Sequence, residues 1–207
     1  MIAHHIHDAL AQVKTVRTLL LERTLFQGYS GMARIHSGCL ALCAALVLGF
    51  SSLPRTPAVH LTGWALVLAA ALVMNYGALL YTFFFDARFK RDPARLKPAV
   101  DVLPPLAAGA ALSLALLKSG QYNLLFGTWM VFFGLAHWAC RRSMPLGNTW
   151  VGLFYLASGA LCLLLPGIVF TSPWPMALVF FPGEVAGGWG MISARASLIP
   201  SQEGVAG

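Results

Sequence analysis

Apolar residues in this chain run in long unbroken blocks, with few of the polar interruptions that would mark the wet face of a soluble helix. A helix needs about 20 mostly apolar residues to cross a hydrocarbon core of roughly 30 Å. Six blocks approach or exceed that length: 35–53, 61–85, 99–117, 122–140, 149–170 and 175–193. Each stops at charge or turn residues, the first at Pro54-Arg55-Thr56-Pro57 and the second after Tyr81-Thr82-Phe83-Phe84-Phe85. Ahead of them, Ile6, Leu10, Val13, Val16 and Leu20 recur at helical spacing, with Asp8, Gln12, Lys14, Arg17, Glu22 and Arg23 on the other faces. That pattern predicts an amphipathic helix over 7–26, which lies on the membrane surface or docks on a partner, and a break at Gln27-Gly28-Tyr29-Ser30-Gly31 that turns the chain into the bilayer. The pattern thus predicts an all-α integral membrane protein, a six-transmembrane-helix bundle preceded by an amphipathic cytoplasmic helix. Its parts are the leading segment 1–34, the transmembrane domain 35–193 and a short tail 194–207.

Composition agrees and excludes much else. The 207 residues are 58% hydrophobic and 10% charged, with a mean hydropathy of +0.72, whereas about a quarter of a soluble domain is charged. Neither a disordered chain nor a disulfide scaffold fits, since only four cysteines are present. Charge sets the orientation. With six spans, Lys14, Arg17, Arg23, Arg34, Arg88, Lys90, Arg91, Arg95, Lys97, Arg141, Arg142 and Arg195 fall on one side and only Arg55 and Lys118 on the other. Positive loops stay cytoplasmic, so both termini are expected inside a bacterial inner membrane. The net charge of +7 then faces anionic lipid, and no nucleic-acid partner is expected.

Polar residues inside apolar blocks are the candidate chemistry. Glu184 lies near the middle of the sixth block, where a carboxylate costs about 2.5–3.5 kcal/mol to insert and needs a partner, water or a proton. Beside it Pro182 can kink the helix, and Gly183, Gly187 and Gly188 leave room for a close neighbour, so these four read as packing or hinge positions. His137 near the end of the fourth block can hydrogen-bond across helices, pair with Glu184, or ligate a haem or pigment. Asn75 adds a hydrogen-bonding group near the middle of the second block, and a polar cavity lined by Asn75, His137 and Glu184 is one arrangement the sequence allows. Asp101 opens the third block, where it can pair with a loop cation or face a helix N-terminus. Cys39 and Cys43 share a helix face and read as buried packing. Trp64, Trp150 and Trp174 near block ends read as headgroup anchors, and packing and anchoring together account for them. The stretch from Ser37 to Leu42 also looks loosely like that from Ser158 to Leu163, as a duplication would produce. Nucleotide-binding, hydrolase and zinc motifs are absent, so no catalytic residue and no metal ligand is assigned, and the cofactor is left open.

The layout resembles a group of small bacterial six-span membrane proteins that begin with a cytoplasmic helix rich in Leu, Arg and Glu. The residues that carry the likeness are Val16-Arg17-Thr18-Leu19-Leu20-Leu21-Glu22-Arg23-Thr24, Pro104-Pro105 at the third span, Gly127-Thr128-Trp129, Phe133-Gly134 and the glycine-rich last span. This resemblance implies the topology and brings no activity with it. The function expected from the sequence is therefore non-enzymatic. Its helices and leading segment would associate with a membrane-protein partner or with further copies, as an accessory or scaffold subunit. The alternatives are a small proton-coupled carrier that uses Glu184, and a haem- or pigment-binding subunit that uses His137.

Overall fold

The computed structural model describes residues 25–85 and 93–197. The expected helix over 7–26 lies almost entirely outside these residues. Among the described residues every regular element is helical, and six long helices follow in chain order. They are α1 (Gly31–Phe50), α2 (Pro57–Phe85), α3 (Lys97–Lys118), α4 (Leu125–Ala139), α5 (Leu146–Leu164) and α6 (Trp174–Ala196). Four of them, α1, α2, α3 and α5, are long and apolar enough to cross a membrane, which marks the chain as a membrane protein. The other two differ for identifiable reasons. At 15 residues α4 extends only about 22 Å, and α6 carries Glu184 among Gly183, Gly187, Gly188 and Gly190.

Local sequence explains where the helices start and stop. The Ser30 Oγ accepts a hydrogen bond from the Ala33 N–H at 3.1 Å, so α1 is capped and begins four residues before its apolar block. Asp101 ends the short turn Lys97–Asp101, and α3 breaks at Val102 before it continues as Leu103–Lys118. The break precedes Pro104-Pro105, whose rings remove two backbone donors. Helix α5 stops six residues earlier than its apolar block because Pro166 holds Leu165 in an extended conformation (ψ 126°). The return turn uses Gly167 at φ +91°, and the α3–α4 turn uses Gly120 at φ +72°, both in the left-handed region that glycine adopts without strain.

Neighbouring helices pack antiparallel. Gly31 lies against Gly188 and Gly49 against Trp174, so α1 and α6 run in opposite directions. In the same way Gly127 meets Gly159 and Gly134 meets Gly152 across α4 and α5, and the Trp129 Nε1–H donates to Ser113 Oγ at 2.8 Å across α4 and α3. The helices form an arc in the spatial order α2, α1, α6, α5, α4, α3. One end of the arc, here the near end, holds Gly31, Ala139, Leu146 and Ala196. It carries Arg34, Arg95, Lys97, Arg141, Arg142 and Arg195, while Arg55 and Lys118 are at the far end.

The far half of the bundle is an apolar core of Ala45, Leu48, Trp64, Leu125, Phe126, Met130, Phe170 and Met176. Trp64 corrects the anchor reading. It is 3% exposed and meets Phe126 edge-on at 6.0 Å between ring centroids, because α2 turns it inward under α4. Trp150 is exposed, as an anchor would be. Cys39 and Cys43 are corrected in the other direction, since both are exposed on the outward side of α1. Gly38 and Gly159, which occupy equivalent places in the two similar stretches, both sit where another helix comes close, Gly38 beside Phe181 and Glu184 and Gly159 beside Val131.

Tyr29 joins three elements at the near end. Its hydroxyl accepts from the Ala99 N–H at 2.8 Å and donates to the Arg95 carbonyl, while its own carbonyl accepts from Arg195 Nη2 at 2.8 Å. Burial raises the phenol pKa above its usual 10.0. Because the folded value is the higher one, stability tied to this proton is intact below pH 10 and is lost as the pH rises beyond it. An alkaline melt of the protein in detergent should therefore show an added loss of stability above pH 10 that Tyr29→Phe removes. An unchanged alkaline limb in Tyr29→Phe would contradict this.

Candidate functional site

Arg34 enters the bundle from the first turn of α1 and reaches across to α6. Its path is opened by Gly187, where a Cβ would overlap the guanidinium, and by the pairing of Gly31 with Gly188, which sets the two backbones in contact. A Cβ on Gly31 would come within 2.5 Å of the Gly188 carbonyl oxygen. The small residues that the sequence offers as packing positions are therefore what admits a buried cation.

All five N–H donors of the guanidinium are directed at partners. Nε donates to Glu184 Oε2 at 3.0 Å and Nη2 to Glu184 Oε1 at 2.9 Å, a two-pronged ion pair. Nη1 donates to Asn148 Oδ1 at 2.7 Å and approaches Met191 Sδ at 3.9 Å. The second Nη2 proton meets His137 Nε2 at 2.8 Å. Arginine cannot accept, so Nε2 is unprotonated, and the His137 Nδ1–H donates to the Phe133 carbonyl at 2.9 Å. Partners on both sides thus fix His137 as one neutral tautomer. Glu184 Oε1 also accepts from the Tyr155 hydroxyl at 3.0 Å, and Asn148 Nδ2 reaches Cys140 Sγ at 3.8 Å. Side-chain exposures of 11% for Arg34 and 8% for Glu184 place the pair where the dielectric is low and each contact is stronger than in water.

An aromatic wall closes the network toward the far end. Phe133 stands edge-on to Tyr155 at 4.9 Å and packs on Phe180 at 5.3 Å, and Tyr155 packs on Phe180 at 5.0 Å. Gly183 is the position that lets Tyr155 in, since a Cβ there would meet its hydroxyl at 2.6 Å. Pro182 lies within the continuous helix α6, one residue before this contact. A groove of about 410 Å³ between α5 and α6, lined by Ser158, Cys162, Trp174, Leu178 and Val179, is in the far half and includes no network residue.

Of the residues singled out in the sequence, Glu184, His137, Gly183, Gly187 and Gly188 meet here, and Asn75 and Asp101 do not. Asn75 donates to Ser37 Oγ and to the Ala71 carbonyl, both at 2.9 Å, and so ties α2 to α1 away from the Arg34 network. The cavity lined jointly by Asn75, His137 and Glu184 is therefore not formed. Asp101 stands at the break in α3 beside the start of Leu103–Lys118, where it suits the helix N-terminus but makes no side-chain cap. Three members had no signal in the sequence. Arg34 counts there as a loop cation, Asn148 falls just outside an apolar block, and Tyr155 looks like one more aromatic. The readable clue was Glu184 itself, whose cost of insertion calls for a cation at the same depth.

Searches of protein-family models, of curated proteins and of solved structures returned no match to this chain.

Removing the Tyr155 hydroxyl deletes one bond to a carboxylate that keeps its two guanidinium contacts. Tyr155→Phe should therefore cost only about 1–2 kcal/mol in detergent unfolding, and a loss above 4 kcal/mol would show that the network depends on the phenol for its assembly.

Proposed function

We propose that the chain is a non-enzymatic integral membrane protein with six spans, both termini cytoplasmic in a bacterial inner membrane. In this reading it acts through helix–helix association as an accessory or scaffold subunit. The observation that carries the reading is the closure of the Arg34–Glu184 pair, because every guanidinium donor already has a partner within the fold. A carrier that uses Glu184 requires the carboxylate to exchange protons with water, and here it is sealed by Arg34, Tyr155 and the aromatic wall. A haem ligand requires a free imidazole nitrogen, and both nitrogens of His137 are engaged. Support for six spans comes from the antiparallel packing of successive helices and from the gathering of six of the eight described basic residues at the near end. The two helices that are shorter or more polar, α4 and α6, stand inside the arc, where they face other helices more than lipid.

The test is purification from the native membrane in mild detergent, with the absorption spectrum and the mass of co-migrating species recorded together. A stoichiometric partner or a defined oligomer, colourless, is the expected result. A solitary monomer whose vesicles carry a proton flux that Glu184→Gln abolishes would replace this reading with the carrier. Visible absorption lost in His137→Ala would replace it with the cofactor subunit.

A further inference from the structure

At the far end two buried side-chain nitrogens have no hydrogen-bond partner among the described residues, His60 Nδ1 and Trp64 Nε1. Both belong to the first two turns of α2, one turn apart on its inward face, and the residues are 1% and 3% exposed. Each leans on the same aromatic cluster. His60 is 6.4 Å from Phe170 and Trp64 6.0 Å from Phe126, and those two rings are 4.8 Å apart. An indole N–H can only donate, and a neutral imidazole carries one donor and one acceptor. Unbonded and shut off from water, both groups cost free energy that hydration would return. Neither nitrogen is open to water in this packing, so that return requires α2 to move. Its near half is tied to α1 by the Asn75 bond to Ser37, and Gly63 packs on Leu48 of α1. Its hold on α4 and on the turn after α5 runs through the aromatic contacts of the two orphaned side chains.

We propose that the far end of α2 is an acid-sensitive latch, in which protonation of His60 lifts the helix off Phe126 and Phe170 and lets water reach Trp64. An imidazolium donates at both nitrogens, and Nδ1 meets no acceptor in the closed packing. The other titratable side chains around this end are Arg55 before α2, Lys118 at the end of α3, Tyr122 before α4 and Cys162 near the end of α5. Among the described residues no carboxylate stands here, since Asp101 and Glu184 belong to the near half and the middle of the bundle. Arg55 instead sets a like charge close enough to act on His60. A charged ring therefore needs water, which only the opened arrangement supplies. The closed packing keeps the ring neutral, so its stability is intact above about pH 6.5, the ordinary value of a hydrated imidazole, and is lost as the pH falls through it. Between pH 7.5 and pH 5.0 the opening equilibrium then shifts about 30-fold. In the orientation proposed above the far end faces outward and meets the external pH. The opening itself belongs to the fold and is the same whichever way the chain is inserted.

The test reads water at the indole itself. The full chain, labelled with nitrogen-15 at its indoles, is placed in detergent micelles, and exchange of each Nε1–H with heavy water is followed by magnetic resonance at pH 7.5 and pH 5.0. Rates are taken relative to free indole at the same pH, and the Trp64 signal is the one missing from Trp64→Phe. Trp129 is the internal control, because its Nε1–H is held by Ser113 Oγ at 2.8 Å. The expected result is a relative rate at Trp64 about 30-fold higher at pH 5.0, an unchanged rate at Trp129, and no pH dependence at Trp64 in His60→Phe. His60→Gln, polar but without a titrating proton, gives the same readout should the phenylalanine chain fail to fold. A Trp64 rate that is the same at both pH values in the unmodified chain would overturn the latch. So would a pH dependence that survives in His60→Phe or His60→Gln, or one shared equally by Trp129, which would report a loosening of the whole bundle. Because the readout needs no partner and no membrane side, none of these results bears on the association reading.

Discussion

Arg34→Met is expected to destabilise the folded bundle by about 3–5 kcal/mol, the usual cost of stranding one partner of a buried ion pair. Methionine roughly fills the volume of the arginine stem, so the loss reports on the charge. Glu184 would keep only the Tyr155 hydroxyl, while His137 Nε2 and Asn148 Oδ1 would each lose a donor. Glu184→Met alone should cost a similar amount by stranding the cation. The double variant Arg34→Met/Glu184→Met should recover a large part of either loss, because two apolar side chains remove the charge imbalance that each single change creates. Recovery stays incomplete, since the imidazole, amide and phenol remain without their partners. Unfolding in mixed micelles, followed by helical circular dichroism, gives all four corners of the cycle. Additive losses would mean that the two charges do not depend on each other, and would defeat the reading of this network as a lock.

The second large effect concerns the contact of α1 with α6. A Cβ added at Gly188 would press on the carbonyl oxygen of Gly31 and on Ile35 Cγ1 at 2.7 Å. A backbone oxygen cannot rotate aside, so the helices must part, and Gly188→Ala should cost about 1–3 kcal/mol. Gly190, two residues along the same helix, has no heavy atom within 4 Å of the added Cβ. Gly190→Ala should stabilise α6 by about 0.5–1 kcal/mol through lower backbone entropy in the unfolded chain. The two substitutions are chemically identical, and their difference of about 1.5–4 kcal/mol isolates the close approach from helix propensity. Near-equal stabilities would mean that the two helices do not touch at Gly31.

The long helices were readable in the sequence because membrane-scale hydrophobicity is a local property, visible in any window of about 20 residues. Their ends were less so. Proline at 166 and the Ser30 cap move boundaries by four to six residues, and both act through backbone geometry that a hydropathy pattern does not register. Glu184 and His137 were legible as polar groups in an expensive place. Their partner was not, since Arg34 is 150 positions from Glu184 and follows directly on a polar turn, where any lysine or arginine looks like a surface charge. Burial on one face of α1 and exposure on the other also escaped the sequence. The face that holds Cys39 and Cys43 is no more polar than the face against α6, so only the arrangement of neighbouring helices distinguishes them.

The separation of 150 residues between Arg34 and Glu184 has a consequence for biogenesis. At a translation rate of about 5–20 residues per second, the ribosome needs on the order of 10–30 s after making the arginine to make its counter-ion. During that interval the four helices between them are made, and α1 carries a guanidinium that has no Glu184 to meet. Only once α6 is made can the two-pronged pair close. A chain that stopped before α6 would leave the Arg34 guanidinium without its carboxylate, so the contact between α1 and α6 is among the last that synthesis allows to form.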